Sequence, residues 1–84
     1  MNTKQRKTLE RIFVSPTPVE MNWDDIESLL TALGATLDDG SGSRLRITLH
    51  GEHLHVHVPH PKRVSTRKMI RAVRDFLNQA GVKP

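Results

Sequence analysis

"RLRITLHGEHLHVHV", residues 44–58, decides the fold. From Arg44 to His50 polar and apolar residues alternate strictly, and from His53 to Val58 the alternation resumes. A period of two marks a strand with one buried face. Between the two runs lies Gly51-Glu52, a two-residue connection with glycine first, which suits a type II′ hairpin turn. That turn predicts a register: His50 opposite His53, Leu49 opposite Leu54, Thr48 opposite His55, Ile47 opposite Val56, Arg46 opposite His57 and Leu45 opposite Val58. One face is then aliphatic and buried. The other carries Arg44, Arg46, Thr48, His50, His53, His55 and His57, with Pro59 and His60 at its end.

Working upstream, "DDGSGS" at 38–43 is a loop, and Ala35–Leu37 supplies a short first strand. Before it, "NWDDIESLLTALG" reads as a helix capped by Asn22, with Asp24, Asp25 and Glu27 favoured by the dipole of its first turns. Trp23, Ile26, Leu29, Leu30 and Leu33 recur at helical spacing and are core, and Gly34 provides the stop. Residues 3–14 form a basic helix with Leu9, Ile12 and Phe13 on one side, ended by the prolines of "SPTP". Periodicity leaves open whether this piece docks or frays.

Downstream, "PHPKRVS" breaks the strand, and Ser65 or Thr66 caps a last helix. Its apolar face is Met69, Ile70, Val73, Phe76, Leu77 and Ala80, and Gly81 ends it. Arg67, Arg71 and Arg74, at i, i+4 and i+7, make one basic ridge with Lys68 beside it. The order is α-β-β-β-α behind an N-terminal helix. The expected class is α+β in two layers: a three-stranded antiparallel sheet with helices on one face and the other face open. Residues 1–20 are expected to be a helical extension and residues 21–84 the domain proper.

The chain has 84 residues, enough for one domain with a thin core. It has no cysteine, which excludes disulfides, thiolate metal sites and a cysteine nucleophile, and fits a reducing cytoplasm. No apolar run approaches the roughly 18 residues of a membrane span, and the basic N-terminus lacks the features of a signal peptide. Charge is unevenly spread. Residues 1–40 carry four Lys/Arg against seven Asp/Glu, net −3, and residues 41–84 carry nine against two, net +7. A half this basic points to an anionic partner, with nucleic acid first.

All five histidines fall within residues 50–61. The H-x-H-x-H run of His53, His55 and His57 could ligate zinc from one strand face. Against that, the facing strand supplies two arginines, Glu52 is the nearest carboxylate, and acceptors to orient the imidazoles are not evident. No metal or other cofactor is expected. Acid–base chemistry fits better, because imidazole exchanges protons near neutral pH and arginines stabilise phosphorane charge. Cleaving RNA through its own 2′-hydroxyl needs a base, an acid and cations, and no metal. Arg44, Arg46, His55, His57 and His60, flanked by the ridge of Arg67, Arg71 and Arg74, hold those ingredients.

"WDDIESLLTALGATLDDGSGSRLRITLHG", a strand ending in "VHVPHP" and a final "IRAVRDFLNQAGVKP" resemble the HicA-type toxins of bacterial toxin–antitoxin pairs. The likeness is greatest to longer variants with an N-terminal extension. It implies a fold similar to double-stranded-RNA-binding domains, ribonuclease activity on messenger RNA, and neutralisation by a HicB-type antitoxin, which charge complementarity is expected to set over the arginine-rich face. Shorter members place a catalytic histidine directly after the loop "GS". Arg44 stands there in this chain, so that role does not carry over. The strand-end histidines of the longer variants match His57 and His60, the expected catalytic pair. Arg44, Arg46, His55, Lys62, Arg63, Arg67, Lys68, Arg71 and Arg74 are the expected RNA contacts. The alternative is an inactive RNA- or antitoxin-binding module of the same fold, and behind it a histidine-rich metal binder.

Overall fold

The central hairpin turns on His50-Gly51, one residue earlier than the glycine-first turn predicts. The computed structural model describes residues 1–58 and 63–84, so His60 and Lys62 lie outside the described residues. His50 has φ 49° and Gly51 φ 81°. Two successive positive φ values define a type I′ turn, whose twist matches that of the flanking strands. Histidine is among the few non-glycine residues enriched in this region. The ladder between β3 (Arg44–Leu49) and β4 (Glu52–His57) consequently pairs Leu49 with Glu52, Thr48 with His53, Ile47 with Leu54, Arg46 with His55, Leu45 with Val56 and Arg44 with His57. This corrects the expected register by two residues. Because the side-chain period is also two, the strand residues keep their faces and only their partners change, whereas His50 passes into the turn.

β2 (Thr36–Asp39) adds antiparallel to β3, with Asp38 opposite Arg46 and Thr36 opposite Thr48, giving the order β2-β3-β4. α2 (Trp23–Ala32) and α3 (Arg67–Gln79) cover its aliphatic face. Trp23, Ile26, Leu29, Leu30, Ile47, Ile70, Val73 and Leu77 are fully buried in one core. Each such aliphatic side chain contributes about 1.5–3 kcal/mol relative to exposure. Asn22 caps α2 by accepting from the Asp24 amide at 2.8 Å, and Thr66 caps α3 through the Met69 amide. The architecture is thus α+β, with helices on one face of a three-stranded antiparallel sheet, consistent with the double-stranded-RNA-binding-domain-like fold.

α1 (Thr3–Phe13) docks rather than frays. Leu9 and Ile12 are buried in the same core, and Gln5 donates from Nε2 to Ser28 Oγ on α2 at 2.9 Å. A second sheet, absent from the sequence reading, pairs β1 (Glu20–Asn22) with β5 (Val64–Thr66). Each strand runs straight into a helix. The pair therefore fixes the N-termini of α2 and α3 side by side, and the Trp23 amide extends it by donating to the Arg63 carbonyl at 2.9 Å.

Candidate functional site

The open face of the sheet is built in rows that cross it. Asp38, Arg46 and His55 form one row, and Thr36, Thr48 and His53 another. Arg44 and His57 close the third, at the end marked by the loop. Every histidine and arginine in these rows is exposed, because alternation places the leucines, isoleucine and valine of the same strands beneath the helices.

The imidazoles have different partners. His57 Nε2 lies 3.2 Å from Ser43 Oγ, so the loop serine orients the ring from the neighbouring strand end. His53 Nδ1 lies 3.0 Å from Thr48 Oγ1, which secures it within its row. His50 leaves the face altogether: its Nδ1 is 2.8 Å from the Ala80 carbonyl at the C-cap of α3. A carbonyl only accepts, so Nδ1 of His50 carries the proton. His50 is therefore a strut between turn and helix rather than a solvated strand end. Arg46 is 3.6 Å from Asp38 with both side chains more than half exposed, an ion pair worth at most about 1 kcal/mol.

The expected cations are not gathered in one place. Lys68 shares with His55 and His57 a groove of about 340 Å³ between β4 and α3, to which Val64, Met69 and Ala72 add apolar surface. Arg67 and Arg74 turn elsewhere. Arg67 Nε donates to the carbonyl of buried Thr17 at 3.1 Å, and Arg74 Nη1 to its hydroxyl at 3.3 Å. Arg71 is exposed. Arg63 Nη2 donates to Glu27 at 2.7 Å, and its Nε sits 2.9 Å from Asp24 without the alignment of a hydrogen bond. Arg63 is thus neutralised from α2, while Arg44, Arg46 and Lys68 remain beside the histidines.

Two features have no signature in the sequence: the contact of Ser43 with His57 exists only in the observed register, and the Thr17 latch joins residues too far apart for any local pattern. His57 stands opposite Arg44, not opposite Arg46 as the glycine-first turn predicts. Among the described residues no group of three His, Asp or Glu side chains is placed to hold a metal ion. No helix there is long and apolar enough to cross a membrane.

No curated protein and no solved structure matches the chain. Residues 23–82, from the start of α2 to just beyond α3, match the family model of the HicA toxin of bacterial toxin–antitoxin systems. That match spans the sheet, both covering helices and the histidine face. By it, the chain belongs to the HicA toxin family, whose members are toxins of toxin–antitoxin systems and imply an antitoxin partner.

Proposed function

We propose that this toxin is a metal-independent endoribonuclease that binds messenger RNA across the open sheet face and cuts it, arresting translation in the cytoplasm. The observation that carries the reading is the position of His57, opposite Arg44 and held by Ser43, at the exposed end of the sheet. When Nε2–H of His57 donates to Ser43, Nδ1 presents its lone pair as a general base. Nδ1 takes the proton of a ribose 2′-hydroxyl, the 2′-oxygen bonds to the adjacent phosphorus, and the P–O5′ bond breaks. Arg44 stabilises the charge that builds on the phosphoryl oxygens. His60 is the second candidate and would protonate the leaving oxygen. Arg46, His55, Lys62, Lys68 and Arg71 would hold flanking phosphates, whereas Arg63 is engaged by Glu27 and Asp24, and Arg67 and Arg74 by Thr17. Residues 21–84 would form the RNA-facing domain and residues 1–20 its helical extension. A HicB-like antitoxin would silence the toxin by laying acidic groups over this face.

The test is cleavage of messenger RNA by the purified protein, with and without chelator, beside a His57→Ala/His60→Ala variant. Wild-type activity should survive chelation and the double variant should lose it. Equal activity in the variant overturns the assignment. One feature favours a second reading, a binding module without catalysis: Arg44 stands where the resemblance to shorter HicA-type toxins implies a catalytic histidine, and arginine does not exchange protons at neutral pH. Growth arrest on expression of the wild type, lost in the double variant, separates the two.

A further inference from the structure

β4 is an edge strand. The sheet runs β2-β3-β4, so one side of β4 pairs with β3 and the other has no strand beside it among the described residues. The register says which groups point outward. The Val58 amide donates to the Ser43 carbonyl at 3.0 Å. Along an antiparallel ladder, hydrogen-bonded pairs alternate with pairs that exchange no bond. Leu45–Val56, Ile47–Leu54 and Leu49–Glu52 are therefore the bonded pairs, and His53, His55 and His57 turn their main-chain N–H and C=O groups away from β3. No backbone hydrogen bond reaches those groups among the described residues.

Along the same edge runs the groove that His55, His57 and Lys68 share with Val64, Met69 and Ala72. Its volume of about 340 Å³ holds a few small side chains, those of one face of an added strand. Val64, Met69 and Ala72 make it apolar, while exposed His55, His57 and Lys68, with Arg44 opposite His57, give it a basic rim. The other strand edges are guarded. β2 has four residues and carries Asp38 and Asp39, a short charged edge of the kind that discourages pairing. β1 and β5 have three residues each. β4 has six residues in unbroken register, with neither lysine nor proline among them. An unguarded edge of this kind is a template for another chain.

We infer that the β4 edge receives an extended segment of the antitoxin as an added strand, and that this segment alternates acidic with small apolar residues. It rests on the antitoxin reading given above and is independent of ribonuclease activity. The outward groups of His53, His55 and His57 recur at every second residue over about 14 Å, a repeat that an extended peptide matches and a nucleotide chain does not. Side chains of the added strand alternate between the two faces of the sheet. Those on the open face stand beside His55 and His57, where carboxylates complement the basic rim. Those on the other face enter the groove, where small apolar groups fit Val64, Met69 and Ala72. A second copy of this chain is the poorer occupant, because β4 against β4 sets histidine against histidine and one basic rim against another. The docked strand lies directly along His57 and closes that side of it to RNA.

Amide hydrogen exchange tests this on the full chain, free and in complex with the purified HicB-like antitoxin. In the complex the His53, His55 and His57 amides should exchange at least about tenfold more slowly, as hydrogen-bonded strand amides do. Proline is tolerated on an edge strand but offers no N–H. His55→Pro should therefore weaken the complex about a hundredfold, whereas His55→Val, which keeps the amide, should stay within about tenfold of wild type. Lys68→Glu should weaken it about tenfold by setting a carboxylate beside acidic side chains. Should His55→Pro fail to fold, the exchange of the wild-type complex decides. Antitoxin binding that leaves the three amides unprotected, or that treats the proline and valine variants alike, overturns strand addition while the antitoxin reading stands. A complex indifferent to Lys68→Glu overturns the acidic pattern. Protection of these amides by RNA and not by the antitoxin assigns the edge to nucleic acid, and protection in the free chain that grows with its concentration assigns it to a second copy; either overturns the inference. Absence of any complex overturns the antitoxin reading together with it.

Discussion

Arg44 and His57 face each other across the β3–β4 ladder, and Ser43, the residue before Arg44, contacts the His57 ring at 3.2 Å. Opposed side chains on an antiparallel pair stand about 5 Å apart at Cβ, so a phosphate resting on one lies within reach of the other. In the proposed reaction Arg44 would therefore stand as a fixed cation beside His57 as the base.

Arg44→Ala should lower kcat/KM on RNA by about a hundredfold, as expected for loss of one transition-state donor. The melting temperature should stay within a few degrees of wild type, because Arg44 is exposed. Cleavage rates and a thermal melt check this, and unchanged cleavage would remove Arg44 from the reaction.

Ser43→Ala should act through His57. Loss of the hydroxyl frees both imidazole nitrogens, and the ring then samples both tautomers. Nitrogen chemical shifts of His57 should move toward a mixed population, and cleavage should fall by about tenfold. Restoration by Ser43→Thr would separate orientation from simple packing.

His50→Ala should destabilise the fold by about 1–3 kcal/mol, combining the lost hydrogen bond to the Ala80 carbonyl with the left-handed strain of alanine. His50→Gly incurs only the first cost, because glycine adopts positive φ without strain, and should lose about 1 kcal/mol. Urea unfolding of the two variants reads the difference directly.

Ile12→Ala should cost about 2–4 kcal/mol, since Ile12 is fully buried although it lies in the N-terminal extension. A cost near zero in denaturant melts would show that α1 does not share the core. Leu9 and Ile12 facing α2 and α3 argue that it does.

Much of this fold is legible in the chain. The strand alternation of 44–58, the stripe of α2 and the stripe of α3 each report a local rule, namely where consecutive side chains point. The caps at Asn22 and Thr66 are equally local. The short strands β1 and β5 are not legible, because three residues are too few to display a period. The face that His53, His55 and His57 share is legible in the alternation, but the partner of His57 is not, since a shift of two residues leaves the hydrophobic pattern intact.

By itself the sequence determined which residues are buried and which are presented: an aliphatic sheet face, two amphipathic helices, and a row of histidines and arginines left in solvent. Periodicity suffices for that, because the direction of a side chain depends only on its own stretch of backbone. The tertiary structure alone decided which presented residues meet. It put Arg44 rather than Arg46 opposite His57, drew His50 to the end of α3, and turned Arg67 and Arg74 onto Thr17. Those meetings join residues distant in sequence or depend on which turn closes the hairpin, and neither leaves a local pattern to read.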